Sequence, residues 1–264
     1  MQDFAYPLED PDATDEEKAT GRRIMDWLLN LVREIEHPEQ LIPFAFALPE
    51  QTTILREPAA ELSQRLATYF LREAEQSNDP VALANAAGWL NNLALRLSDL
   101  GRREEALTTA EEAVRLHRAL AEASPDVFIP YLAGSLNNLA AMLSALGRRE
   151  EALTAAEEAV RLRRALAKTR PDAFIPDLAG SLWVLGDPYG EIEKPDVAIA
   201  TLAEAIQLLT PTFVEFPAAV VAIMAGMLQS YLSQCAAVSR EPDTELLGPA
   251  LAVFESLTPK EERG

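Results

Sequence analysis

LGRREEAL stands at Leu100–Leu107 and again at Leu146–Leu153. Two identical runs of eight residues, 46 apart, mark a structural unit that the chain builds more than once. Shifted by that distance, Ala87–Leu132 and Ala133–Leu178 agree at 35 of 46 positions and differ at 11. Each copy reads AGxLNNLAxxLSxLGRREEALTxAEEAVRLxRALA, followed by a Pro-Asp break and FIP. Leu136, Leu139, Leu143 and Leu146 fall at spacings of three and four, so one face of a helix is apolar. Gly101 and Gly147 stand where that helix must stop, because a residue without Cβ takes the left-handed conformation cheaply. The glutamates just after them suit the first turn of a second helix, where exposed N–H groups favour acid. The unit is therefore a helical hairpin with a very short turn.

Two antiparallel helices cannot bury their apolar faces alone, but stacked hairpins can. Ala106 and Ala152, Ala110 and Ala156, and Ala113 and Ala159 occupy three equivalent positions. They mark close helix approach, where a larger side chain overpacks at a cost of about 1–3 kcal/mol. The register extends upstream through Pro58–Glu75 and downstream through Ala198, Thr201 and Ala205. Residues 216–238 and 245–257 read as one further, capping hairpin. GDPYG at Gly186–Gly190 reads as a loop that breaks the first helix of the third block. At the start, residues 16–36 form an amphipathic helix through Ile24, Trp27, Leu28 and Val32, and LIPFAFALPEQTTILREP reads as an extended connector. The expected fold class is all-α, an αα-superhelix of stacked helical hairpins with an N-terminal helical extension. Its expected divisions are an acidic disordered leader (1–13), the N-terminal helix and connector (14–57), the repeat array (58–257) and a flexible tail (258–264).

Bulk properties narrow the function. The 264 residues carry a formal net charge of −19, which repels phosphate backbones and anionic lipid surfaces, so neither nucleic acid nor membrane is an expected partner. No uninterrupted run of 18 apolar residues occurs, and the N-terminus lacks the basic flank and apolar core of a secretion signal. Cys235, the only cysteine, excludes an intrachain disulfide, and a cytoplasmic location is the default. His37 and His117 are the only histidines; with one cysteine they cannot assemble a structural zinc set, and no cofactor is expected. His117 stands where the next copy has Arg163, which points to a polar outer surface. Glu111, Glu112, Glu157 and Glu158 fall on the solvated side of the second helices, with Glu157 spaced to pair with Arg161. No nucleophile elbow or phosphate loop occurs, so the chain is read as a non-enzyme.

Counted from Ala133, large residues stand at 4, 7 and 11 and small ones at 8, 20 and 27, through Leu136, Leu139, Leu143, Ala140, Ala152 and Ala159. This pattern resembles the tetratricopeptide repeat. The period of 46 instead of 34, with LNNLA in the first helix, resembles the kinesin light chain type and arrays in bacterial signalling proteins. The resemblance implies a protein-interaction scaffold whose first helices line a concave groove for a peptide or helix of a partner. It places Gly88, Asn91, Leu95, Ser98 and Asp99 of the first copy, and Gly134, Asn137, Ala141, Ser144 and Ala145 of the second, on that groove. Asn92 and Asn138 join them as contacts to a ligand backbone, a role that suits an amide carrying both donors and an acceptor. The alternative reading is that one asparagine of each pair bonds a neighbouring helix and fixes the stack. Trp183 and Tyr189 are candidate aromatic contacts at the rim. Two further alternatives stand beside the scaffold: a regulatory or self-assembling module of a signalling assembly, and an enzyme with a site in the N-terminal region.

Overall fold

A computed structural model describes residues 13–47, 55–191 and 194–257. The expected leader up to residue 12, the connector's 48–54 and the tail 258–264 lie outside the described residues. The chain forms two compact units, residues 1–131 and 132–264, and among the described residues every regular element is helical.

The first unit opens with α1 (Asp15–Glu34). Its sequence T-x-x-E closes a capping box: Thr14 Oγ accepts from the Glu17 N–H, and Glu17 Oε2 accepts from the Thr14 N–H at 2.8 Å. A 3₁₀ turn (Pro38–Leu41) and the short α2 (Ile42–Ala47) follow. This corrects the extended reading of residues 41–47. Pro38 and Pro43 fall in first turns, where the missing N–H is an orphan donor in any case. Then come α3 (Arg56–Ser77), α4 (Pro80–Asp99), α5 (Arg103–Ala123) and the start of α6 (Pro125–Ala145). Val32, Leu41, Leu62 and Leu66 form a buried cluster that fastens the N-terminal extension to α3. The Arg65 guanidinium secures the same joint by donating to the carbonyls of Val32 and Ile35 at the end of α1.

The second unit holds the remainder of α6, then α7 (Arg149–Thr169), α8 (Pro171–Glu191), α9 (Pro195–Glu215), α10 (Pro217–Ala237) and α11 (Thr244–Leu257). Helix starts at 103, 149 and 195, and at 125, 171 and 217, keep the period of 46 beyond the region where residue identity shows it. Consecutive helices pack against each other from α3 to α5 in the first unit and from α7 to α10 in the second. The last step differs, since α11 sits mainly on α9; there Phe213 meets Phe254 at 4.9 Å.

The repeated octapeptide builds the turn of the hairpin. Gly101 and Gly147 adopt φ of +74° and +72°. The next N–H bonds back into the finished helix, Arg102 to the Leu97 carbonyl and Arg148 to that of Leu143, each at 2.9 Å. Arg102 and Arg148 then grip Glu105 and Glu151, each through two N–H···O bonds of 2.7 and 2.5 Å. LGRREEAL is thus a helix stop and a helix start fused into one string.

GDPYG does not break its helix: α8 runs through it to Glu191. The glycine is required there for closeness. A Cβ on Gly186 would stand 2.6 Å from Leu202 Cγ of α9. Three helices, Pro125–Ala145, Pro195–Glu215 and Pro217–Ala237, are long and apolar enough to cross a membrane by length and composition alone. In α9 that apolarity is used inside the unit, since Ile199, Leu202, Ile206, Leu209 and Phe213 are all buried. α10 differs. It carries no charged residue, and its Ile223 and Leu232 remain exposed.

His117 is also corrected. It is buried, 3% exposed, and its ring stacks on Tyr131 at 5.9 Å. Removal from water pushes its pKa down from 6.5 to about 4. The neutral ring suits the fold above pH 6.5, whereas the unfolded chain takes up a proton as pH falls from 6.5 to 4, so stability drops across that window. The wild type should lose about 2 kcal/mol more than His117→Gln between pH 7 and pH 4, by urea unfolding at each pH. Equal losses would remove this account of the histidine. At α8, Gly186→Ala should destabilise by about 1–3 kcal/mol. Gly180→Ala in the same helix, where a Cβ meets nothing within 4 Å, should stabilise by roughly 0.5–1 kcal/mol; urea midpoints separate the two.

A cleft on the first repeat

The start of α3 is tied to the end of α4 by Arg56 Nη1, which donates to the Asp99 carbonyl at 3.2 Å. Between α2, α3 and α4 lies a cleft of about 570 Å³. α4 contributes Trp89, Asn92, Leu95, Arg96 and Asp99. The opposite walls come from Ala59, Leu62 and Ser63 of α3, and from Ala45 and Phe46 of α2. Trp89 and Phe46 meet edge to face, with centroids 6.3 Å apart. The result is an aromatic and aliphatic floor edged by an amide, a hydroxyl, a guanidinium and a carboxylate. It offers a place for a side chain to be desolvated and polar groups for a backbone beside it.

Three of the sequence-derived groove residues, Asn92, Leu95 and Asp99, converge here, and all three are exposed. Asn91 and Ser98 are half-buried on the same helix, as are Asn138 and Ser144 on α6, while Ala141 and Ala145 are exposed. Asn137 takes the other role weighed for these amides. Its Nδ2 donates to Ser181 Oγ of α8 at 2.8 Å, and that hydroxyl donates to the Asp177 carbonyl at 3.1 Å. The Asn137 amide therefore ties α6 to α8 through its Nδ2.

The rim assignments change as well. Trp183 is half-buried against α10: its indole N–H donates to Ser230 Oγ at 2.9 Å, and its ring fills the space beside Gly226. Tyr189 donates to Glu157 Oε1 at 2.8 Å, on a separate cleft with Arg161, Arg164, Val197 and Thr201. Burial and this bond to a carboxylate raise the pKa of the Tyr189 phenol. Glu157 is thus engaged by Tyr189, and the ion pair of Arg161 is with Glu158 at 3.9 Å. In the N-terminal region His37 Nδ1 lies 3.3 Å from Glu39 Oε1, with both side chains exposed. Among the described residues no group of three His, Cys, Asp or Glu side chains is placed to hold a metal ion.

Trp89, Arg96, Ser63 and Phe46 were missed by the sequence reading. The first two carried a usable signal. The 11 positions at which the two copies differ include 89, 95, 96 and 99, where the second copy has Ser135, Ala141, Met142 and Ala145. Four of the five cleft residues on α4 are therefore individual to the first copy, on a framework otherwise largely shared.

Known proteins agree with this architecture. The family model described as tetratricopeptide repeat matches residues 86–126 and 132–171. Among solved structures, a Podospora anserina kinesin-light-chain-like protein of nearly identical TPR-like repeats is similar at 18% identity and a TM-score of 0.55. That match covers 86% of this chain and 100% of the other. A point-substituted form of the same fungal protein is similar at 17% identity and a TM-score of 0.56, covering 88% and 100%. No curated protein matches the sequence. Such repeats generally serve as protein-interaction scaffolds. Residues 86–126 and 132–171 of this chain thus match the tetratricopeptide-repeat model, within a fold similar to that of a kinesin-light-chain-like repeat array.

Proposed function

We propose that the chain is a non-enzymatic scaffold that binds a peptide or helix of a partner protein in the α2–α3–α4 cleft. The observation that carries this reading is the individuality of that cleft. A framework copied at 35 of 46 positions changes at four of the five α4 residues that line it. Structural positions tolerate copying, because every hairpin solves the same packing problem. A recognition surface must instead match one ligand. The ligand chemistry follows from the walls: a large apolar side chain on Trp89 and Leu95, with its backbone beside Asn92. The net charge of −19 and the exposed Asp99 carboxylate favour a basic flank over an acidic one. A reducing, cytoplasmic setting suits a chain whose one cysteine is a buried free thiol.

A specific observation favours self-association as a second reading. On the uncharged α10, Ala218, Ala222, Ala225, Gln229, Leu232 and Ala236 are exposed at spacings of four and three, the spacing of a helix–helix seam. It is a place where two strongly acidic copies can meet without charge repulsion.

Peptides selected on the wild-type protein from a displayed random library should bind roughly tenfold or more weakly to the Asn92→Ala, Leu95→Ala double variant, with helicity by circular dichroism unchanged. Equal affinity for wild type and variant would take the cleft out of the reading. For the second reading, light scattering should give a dimer mass that returns to the monomer in Leu232→Lys; a wild-type monomer at all concentrations would end it.

A further inference from the structure

Arrays built from nearly identical units carry a hazard that single-core domains do not. A helix can stack on the wrong copy, in its own chain or in another, and bury nearly the same alanines as in the correct arrangement. Something other than the alanines has to tell the copies apart.

At one position α5, α7 and α9 each carry a different side chain, while α3 has Leu71 there, leucine as in α9. His117, Arg163 and Leu209 are equivalent residues of α5, α7 and α9, and all are buried, at 3, 8 and 0% exposure. Fourteen residues later, on the helix that follows each, stand Tyr131, Asp177 and Ile223, all exposed. His117 stacks on Tyr131, with ring planes 18° apart. Arg163 Nη1 donates to Asp177 Oδ2 at 2.5 Å. The third pair is aliphatic, on helices that pack together. Residues 117 and 131 are two of the 11 positions at which the first copy departs from the second. They touch each other in the first copy, and their counterparts touch each other in the second, so the change is concerted. The first contact lies wholly within residues 1–131 and the second wholly within 132–264, so each belongs to one compact unit.

We propose that these pairs are registration locks, which specify which first helix each second helix accepts and so keep the chain from stacking out of order or exchanging hairpins with another copy. Wrong partners are penalised by desolvated charge. Were α7 of one copy to take the place of α5 against the start of another copy's α6, Arg163 would lie buried against Tyr131 without its carboxylate. Laid against α10, it would face Ile223. Were α9 of one copy to take the place of α7 against the start of another copy's α8, Leu209 would meet Asp177. A buried ion pair adds little net stability over a well-packed apolar pair, but a buried charge deprived of its partner is strongly unfavourable. Discrimination is therefore what the charged lock supplies best. The inference stands apart from the cleft and survives if the cleft binds nothing.

The test makes the locks alike. The Arg163→His, Asp177→Tyr double variant copies the first lock into the second unit, and His117→Arg with Tyr131→Asp copies the second into the first. Arg163→Lys with Asp177→Glu keeps a distinct ion pair as the control. Each full-length protein, wild-type locks included, carries Leu232→Lys to remove any association through α10; it is refolded from urea over a range of concentrations, and the monomer yield is read by size exclusion with light scattering. Both duplicated-lock proteins should lose monomer several-fold, with oligomers increasing as concentration rises, while the Lys–Glu protein refolds like wild type. The proposal is overturned if either duplicated-lock protein refolds to monomer with wild-type yield, or if the Lys–Glu protein loses as much as they do.

Discussion

Helices can lie closely side by side over their whole length only where the facing side chains are small, and this chain meets that condition with alanine at fixed repeat positions. Ala106, Ala110 and Ala113 of α5, Ala152, Ala156 and Ala159 of α7, and Ala198 and Ala205 of α9 are all sealed from solvent. Interaxial distance depends on the residues at the contact; setting it the same way in each hairpin makes the hairpins interchangeable modules. The Leu residues around them then fill a space whose dimensions are already fixed. The tight turn at Gly101 and Gly147 is the second half of the constraint, because it leaves the paired helices no slack to slide.

Most of this architecture could be read from the chain, because the period of 46 samples the same physics repeatedly and each copy corroborates the others. The misreadings share one cause: residue type was allowed to stand for environment. Histidine and arginine at 117 and 163 suggested a polar surface, yet each is buried by a partner 14 residues away whose relevance only the folded chain reveals. The glycines and proline of GDPYG suggested a break, but Gly186 lies in a continuous helix because Leu202 fills the room a Cβ would need. The prolines near residue 40 suggested extended chain, but proline is equally at home in a first helical turn.

The groove was half legible. Helical spacing places Asn92, Leu95 and Asp99 on one face of α4, because residues three and four apart are neighbours there. That spacing cannot tell which of several equivalent faces stays open. At Asn137 the same kind of amide that could meet a ligand is engaged by Ser181 of the next first helix. The opposite walls of the α4 cleft, Phe46 and Ser63, lie outside the two near-identical copies: Phe46 has no periodic counterpart, and Ser63 falls at the position of Thr109 and Ala155, where no residue is shared.

Comparing the copies with one another separates two kinds of position that a single reading merges. Where both copies agree, the residue answers a demand common to every hairpin: close approach, a turn, a helix start. Where they differ, that demand is absent and a local one decides. The 11 differences are not scattered evenly: four line the α4 cleft, and two more form the His117–Tyr131 contact that becomes Arg163–Asp177. Divergence is thus concentrated at an open surface and at a joint between helices, the two places where a repeated unit has to be distinguished from its neighbour. Alanine contacts are apolar and non-directional, so they set distance but not identity. Identity has to come from the larger and polar side chains placed where the framework leaves room for them.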